Sequence, residues 1–195
     1  MDAYLTLGSA ASQIAVRTQQ SASLPLRSFS IDAGIVSIPN RWSASVRNTL
    51  FANGYCTIAC DTAGNPVLER TRIGATTDET GMAVNDTSLE TRFQAVVCAK
   101  TLRSGLSNYT STPRIIMNDS DIVSPSIWIV TPSAIRSSCI AIYGRLVNDG
   151  IATDIATFKK NLVVEIDSDV KGRINVYFPV TLASGLNQIT INLTV

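Results

Sequence analysis

Residues 130–182 read VTPSAIRSSCIAIYGRLVNDGIATDIATFKKNLVVEIDSDVKGRINVYFPVTL, and no other stretch of the chain specifies as much structure. Thr131-Pro132 sets a helix N-cap before a proline at the first helical position, where its missing N–H has no intrahelical partner to lose. Ile135, Cys139, Ile142 and Leu146 then recur at helical spacing and form one apolar stripe. Asn148-Asp149-Gly150 stops that helix, and Asp154 can cap a second, shorter one carrying Ile155, Phe158 and Leu162. Strands are predicted over Leu162–Ile166 and Ile174–Phe178. A third is predicted over Gln188, Ile189, Thr190, Ile191, Asn192, Leu193, Thr194 and Val195, where apolar and polar residues alternate. Such a strand can pair in the chain's own sheet or add to a neighbour's.

Working back toward Met1, the pattern loosens. Residues 3–20 place Leu7, Ala11, Ile14 and Ala15 at near-helical spacing, which predicts a short amphipathic helix. Residues 21–41 contain Pro25 and Pro39 and read as extended chain with short strands. Ser43 can cap a helix holding Val46, Leu50 and Phe51 that ends at Asn53-Gly54. Tyr55–Cys60 and Val67–Ile73 are β-prone runs around the turn DTAGNP, a hairpin. Residues 74–86 read as loop. Thr87 or Ser88 can cap the longest helix, with Glu90 at its positive end and Arg103 at its negative end. Its stripe is Phe93, Val96, Val97, Lys100 and Leu102, and residues 107–126 are again loop-like. This order of elements predicts a mixed α/β fold.

Composition narrows the function. The 195 residues carry 16 basic and 15 acidic side chains, a net charge of +1, which offers no electrostatic case for nucleic acid or an anionic membrane. Charged residues make up 16%, against roughly 25% in ordinary domains. With 21 Ser and 20 Thr, much of the surface is neutral hydroxyl, which resists self-association poorly and fits packing in an assembly. The opening residues MDAYLTLGSAASQIAVRTQQ do not read as a signal peptide, and no apolar run approaches membrane-span length. The expectation is a chain that stays on the cytoplasmic side during synthesis. Cys56, Cys60, Cys98 and Cys139 show no metal-type spacing. On a strand Cys56 and Cys60 would lie about 13 Å apart, too far to bridge, so buried free thiols are expected.

Histidine is absent, so neither a Ser-His-Asp nor a Cys-His nucleophile system can be built within this chain. Thr157 to Lys160 has a T-x-x-K spacing that reads as helix surface. Asp119 with Asp121 and Asp167 with Asp169 are carboxylate pairs in predicted loops, where aspartate usually shapes turns. No third converging ligand identifies a metal site, and no Gly-rich phosphate loop is present. Trp42 and Trp128 read as core or interface anchors.

Several of these local patterns coincide with a known family. Val130, Thr131, Pro132, Ile135, Arg136, Ala141 and Tyr143 match its V-T-P helix with I-R and A-x-Y elements. Gly150 and Ile151 match its G-[LI] turn. Phe158, Lys159, Asn161, Leu162, Val163, Val164 and Glu165 match F-K-x-N-L-[IV]-V-E, and Arg173, Ile174, Val176 and Pro179 match N-R-[VI]-x-V-x-x-P. Upstream, SLPLRSFSIDAGIVSI resembles the P-L-x-x-L-x-L-P-G-I stretch, and Arg47, Asn48, Leu50, Gly54, Asp61, Gly64, Val67, Glu69 and Arg70 match a following helix and hairpin. The chain thus resembles the C-terminal part of tail sheath proteins of Mu-like contractile phages. It departs after Arg72, where IGATTDETG replaces T-T-Y-Q-x-N-x-x-G, and in its less basic last strand. Family members are also longer, with an N-terminal half that has no counterpart here.

The resemblance implies one sheath-like domain over 1–195: a helix over 1–20, a first part over 21–129 with the hairpin at 55–73, and a helix-helix-strands part over 130–195. The implied fold is a mixed sheet flanked by helices, with a terminal strand able to pair with a neighbour. The implied role is structural and non-enzymatic, in hexameric rings stacked helically around a tail tube and shortening to drive delivery. Partners would be the chain itself, the tube, baseplate and tail-terminator proteins, with no cofactor, metal, direct nucleic-acid contact or membrane insertion. The implied location is the tail of a virion assembled in the host cytoplasm. Residues 188–195 are expected to link subunits, and Lys159 and Lys160 to face an acidic tube surface. Two other classes fit the residues: a non-enzymatic virion binding or adaptor module, and a histidine-free hydrolase with paired carboxylates of raised pKa in a cleft.

Overall fold

Three helices open on the side chains the sequence offers as caps. Ser43 Oγ accepts from the Val46 N–H at 3.4 Å, Thr131 Oγ1 from Ala134 at 3.3 Å and Asp154 Oδ1 from Thr157 at 3.1 Å. The computed structural model describes residues 3–84, 86–121, 124, 126–187 and 189–193. It divides into two compact units, Met1–Gln94 with Ser184–Val195, and Ala95–Ala183. The mixed α/β class holds, but the described strands are spread over three small sheets.

The first unit holds α1 (Ala3–Gln20), β1 (Phe29–Ser30), α2 (Ala44–Ala52), β2 (Thr57–Cys60), β3 (Pro66–Arg70) and the start of α3 (Leu89–Ser111). β1, β3 and β2 form an antiparallel sheet in that order. Its turn is drawn in by Asp61, which accepts from the Asn65 N–H at 2.8 Å and the Asn65 amide at 2.9 Å. Those two contacts hold the Asp61 carboxyl below its ordinary pKa. The core is Leu26, Phe29, Ile31 and Leu68, packed by Ala10, Ile14, Leu89 and Phe93. Arg47 Nε pairs with Glu69 Oε2 at 2.8 Å, so two of the positions that carry the family resemblance tie α2 to the hairpin.

The second unit holds the rest of α3, then β4 (Ile115–Ile116), β5 (Ile129–Val130), α4 (Pro132–Asn148), α5 (Ile155–Asn161), β6 (Val163–Ile166) and β7 (Ile174–Tyr177). β4 and β5 pair in parallel and β6 and β7 antiparallel. The predicted stripe of α4 is buried in full, joined by Tyr143. Tyr143 stacks on Phe158 with ring centroids 3.8 Å apart, and Phe178 meets Phe158 edge-on at 4.7 Å. Arg136 fastens the end of α5 by donating to the Lys159 and Leu162 carbonyls.

Five expectations need correction. α3 runs to Ser111, so Arg103 lies inside the helix and 107–111 are not loop. Tertiary contacts accompany the extra turns: Tyr109 Oη lies 2.7 Å from Ser138 Oγ, and a Cβ on Gly105 would sit 2.5 Å from Ile142 Cδ1, so glycine lets the Ile142 side chain of α4 pack directly against this turn. The buried face of α3 carries Gln94 and Cys98, while Val96 is 56% exposed. β4 and β5 were not predicted, because two-residue strands carry no readable period. The buried-thiol expectation holds for Cys98 and Cys139, whose burial raises their pKa, and not for exposed Cys56 or half-buried Cys60. Finally, residues 189–193 form no strand, since no sheet edge among the described residues pairs with them; Gln188, Thr194 and Val195 lie outside the described residues.

Candidate functional site

The carboxylate pairs build turns. Asp167 Oδ1 accepts from the Asp169 and Val170 amides, each at 2.8 Å, and Oδ2 from Arg173 Nε and Asn175 Nδ2, each at 2.7 Å. The Val170 amide, then Asn175 and Arg173, stabilise the ionised form and lower its pKa to about 2. Asp119 likewise accepts from the Ser133 hydroxyl and its N–H, which lowers its pKa and pins the start of α4. A hydrolytic pair would need a raised value, so neither Asp119 nor Asp167 behaves as that rival requires. The second unit also has a cavity of about 440 Å³, lined by Leu106, Tyr109, Arg114, Ile116, Ile174 and Val176 among others, with no acid in its wall. Among the described residues no three of Cys, Asp and Glu converge as metal ligands, and no helix is long and apolar enough to cross a membrane.

The Asp167 turn yields a pH prediction. A folded pKa of about 2, below the ordinary 3.8, means that Asp167 contributes stability above 3.8 and loses it as pH falls through about 2. Urea midpoints measured down that window should therefore fall less steeply for Asp167→Asn than for the wild type. Equal slopes would show the turn to be without effect on acid stability.

The surface offers features suited to assembly. β6 and β7 are paired only with each other among the described residues, so each keeps an open edge, and Val163 and Tyr177 stand 46% and 66% exposed. Ile189, Ile191 and Leu193 are 70%, 82% and 84% exposed, so the alternating residues cover nothing in their own chain. Lys159 and Lys160 lie exposed in the last turn of α5, where the helix dipole favours cations. Trp42 and Trp128, 56% and 54% exposed, are not core residues. Glu90, read from sequence only as a helix-end acid, has a larger role: it accepts from the Leu26 N–H at 2.7 Å and the Thr71 hydroxyl at 3.3 Å. No sequence period announces such a long-range bond.

No protein-family model matches the chain. Over 180 residues, 89% of its length, it is 27% identical to the Mu-like prophage FluMu tail sheath protein of Haemophilus influenzae. The chain is similar to a Mu-like tail sheath protein. It spans 36% of that relative's length. Its fold is similar to a chain in the cryo-EM structure of the anti-feeding prophage (AFP) baseplate, 6-fold symmetrised, with a TM-score of 0.59 and 11% identity. That likeness covers 95% of this chain and 48% of the other, and it concerns fold alone. The resemblance to tail sheath proteins read from the motifs therefore holds.

Proposed function

We propose that the chain is a non-enzymatic structural component of a phage-type tail, a sheath subunit that forms hexameric rings stacked helically around a tail tube. Shortening of that lattice would drive genome or effector delivery. The observation that carries the reading is the match to a tail sheath protein over 89% of the chain. Its partners are further copies of itself, the tube, and baseplate and tail-terminator proteins, in a tail assembled in the host cytoplasm. The energy is stored in the assembled lattice, so no cofactor enters the reading.

Within this proposal the arm Gln188–Val195 links subunits by adding a strand to a neighbour's sheet, and the open edges of β6 and β7 are the available places. Main-chain bonds of an added strand survive rigid-body rotation while side-chain contacts are exchanged. Lys159 and Lys160 face acidic groups on the tube, an attraction that salt should weaken.

The test is electron microscopy of the full chain, alone and with its tube. Rings or cylinders of sixfold symmetry are expected, no assembly after removal of Asn187–Val195 from a chain that stays folded, and less decoration when both lysines become glutamate. A chain that stays monomeric with the tube present would overturn the sheath reading in favour of an adaptor. Undiminished decoration by the lysine variant would sink the tube contact alone.

A further inference from the structure

The root of the arm is held by a short segment whose own geometry is unusual. Leu26 is 2% exposed and its N–H is tied to Glu90, while the Ser28 N–H donates to the Leu68 carbonyl at 2.7 Å. Between these two anchored amides stands Arg27, whose guanidinium donates to the Asn187 main-chain carbonyl. Ser28 has φ +59°, one of two non-glycine residues in the left-handed region among the described residues. Serine rarely adopts it, and a backbone outlier held by its surroundings marks a place worth a functional hypothesis. Two residues before Asn187, Gly185 lies against the Pro25 ring, where a Cβ would come within 2.6 Å of Pro25 Cγ. Immediately beyond, Leu186 is 70% exposed, like Ile189, Ile191 and Leu193 after it.

We infer that Pro25, Arg27 and Gly185 form a clamp that fixes where the arm leaves the body, and that Arg27 is thereby a positioning residue for linkage to a second copy of this chain. The inference rests on the linking role proposed for the arm. At ~3.3 Å per residue, residues 188–195 reach about 26 Å from a fixed root, which limits the neighbouring sheet edge they can meet. Fixing the root also removes conformational freedom that assembly would otherwise have to remove.

The test uses the full chain with Arg27→Ala, Arg27→Lys and Gly185→Val. Amide exchange of residues 184–187 is followed on the unassembled chain, the concentration needed for cylinders is followed by sedimentation, and thermal unfolding serves as the control. Arg27→Ala should unfold at the wild-type temperature, yet exchange at 184–187 and the concentration needed should each rise about tenfold, as expected for loss of one charge-assisted hydrogen bond. Arg27→Lys keeps a donor and should recover part of the loss. Should Arg27→Ala fail to fold, Gly185→Val opens the same joint from its other side and should give the same two effects. Unchanged exchange overturns the clamp, and so does a freed root with unaltered assembly. Removal of Asn187–Val195 separates the two ideas. If the shortened chain assembles like the full one, the linking role fails; if it does not, while the clamp variants assemble normally, only the clamp fails.

Discussion

Tyr143→Ala should lower the stability of the second unit by about 3–5 kcal/mol, the range for removing a large aromatic side chain from a packed core. Tyr143 is 0% exposed, stacks on Phe158 and lies 5.9 Å from Phe178, so its loss leaves two rings without a face. Its hydroxyl also donates to the Thr153 carbonyl and accepts from the Thr181 N–H at 3.4 Å. Cutting the side chain to a methyl group therefore opens a cavity and strands two main-chain groups at once. Tyr143→Phe keeps the stack and loses only the bonds, at a cost of about 1–3 kcal/mol. Urea unfolding distinguishes them: with a slope of about 2 kcal/mol per M, the alanine variant should shift its midpoint by roughly 1.5–2.5 M. A similar shift for both variants would place the stabilisation in the hydroxyl bonds and not in the aromatic packing.

Leu26→Ala should be the most damaging single truncation in the first unit, at about 2–5 kcal/mol, toward the upper end because the site cannot collapse. The Leu26 main chain is held by Glu90, and the side chain shares a buried cluster with Phe29, Ile31 and Leu68. A backbone fixed in this way leaves the full void in place. Leu26→Met, which nearly conserves volume, should cost less than about 1.5 kcal/mol. Leu24→Ala, two residues away and 36% exposed, is the control and should cost less still. Amide exchange read at β1 and β3 measures all three, and an equal effect from Leu24 and Leu26 would contradict the burial assigned here.

The elements legible in the sequence are those whose signal is local. Ser43, Thr131 and Asp154 cap their helices because a short polar side chain can reach an amide in the first turn whatever surrounds it. The stripe of α4 is buried as its period predicts, since 3.6 residues per turn puts those positions on one face. Asp167 reads correctly as a turn residue for the same reason: its main partners all lie within eight positions of it. Motif order, too, carries the likeness to tail sheath proteins.

Other features depend on partners far along the chain, and no window of sequence contains them. The end of α3 is set by Ser138 and Ile142, some thirty residues on, and Glu90 meets a backbone amide 64 positions away. The alternation over 188–195 records a preference for pairing but names no partner. In the folded chain residues 189–193 find none, and Ile189, Ile191 and Leu193 stand exposed. Sequence alone therefore determined the caps, the buried face of α4, the turns and the likeness to tail sheath proteins, all governed by patterns within a few residues. Helix length, the division of strands into small sheets, the burial of Leu26 and the contact of Arg27 with Asn187 were decided by tertiary structure, because each is the outcome of competition among surfaces that only folding brings together.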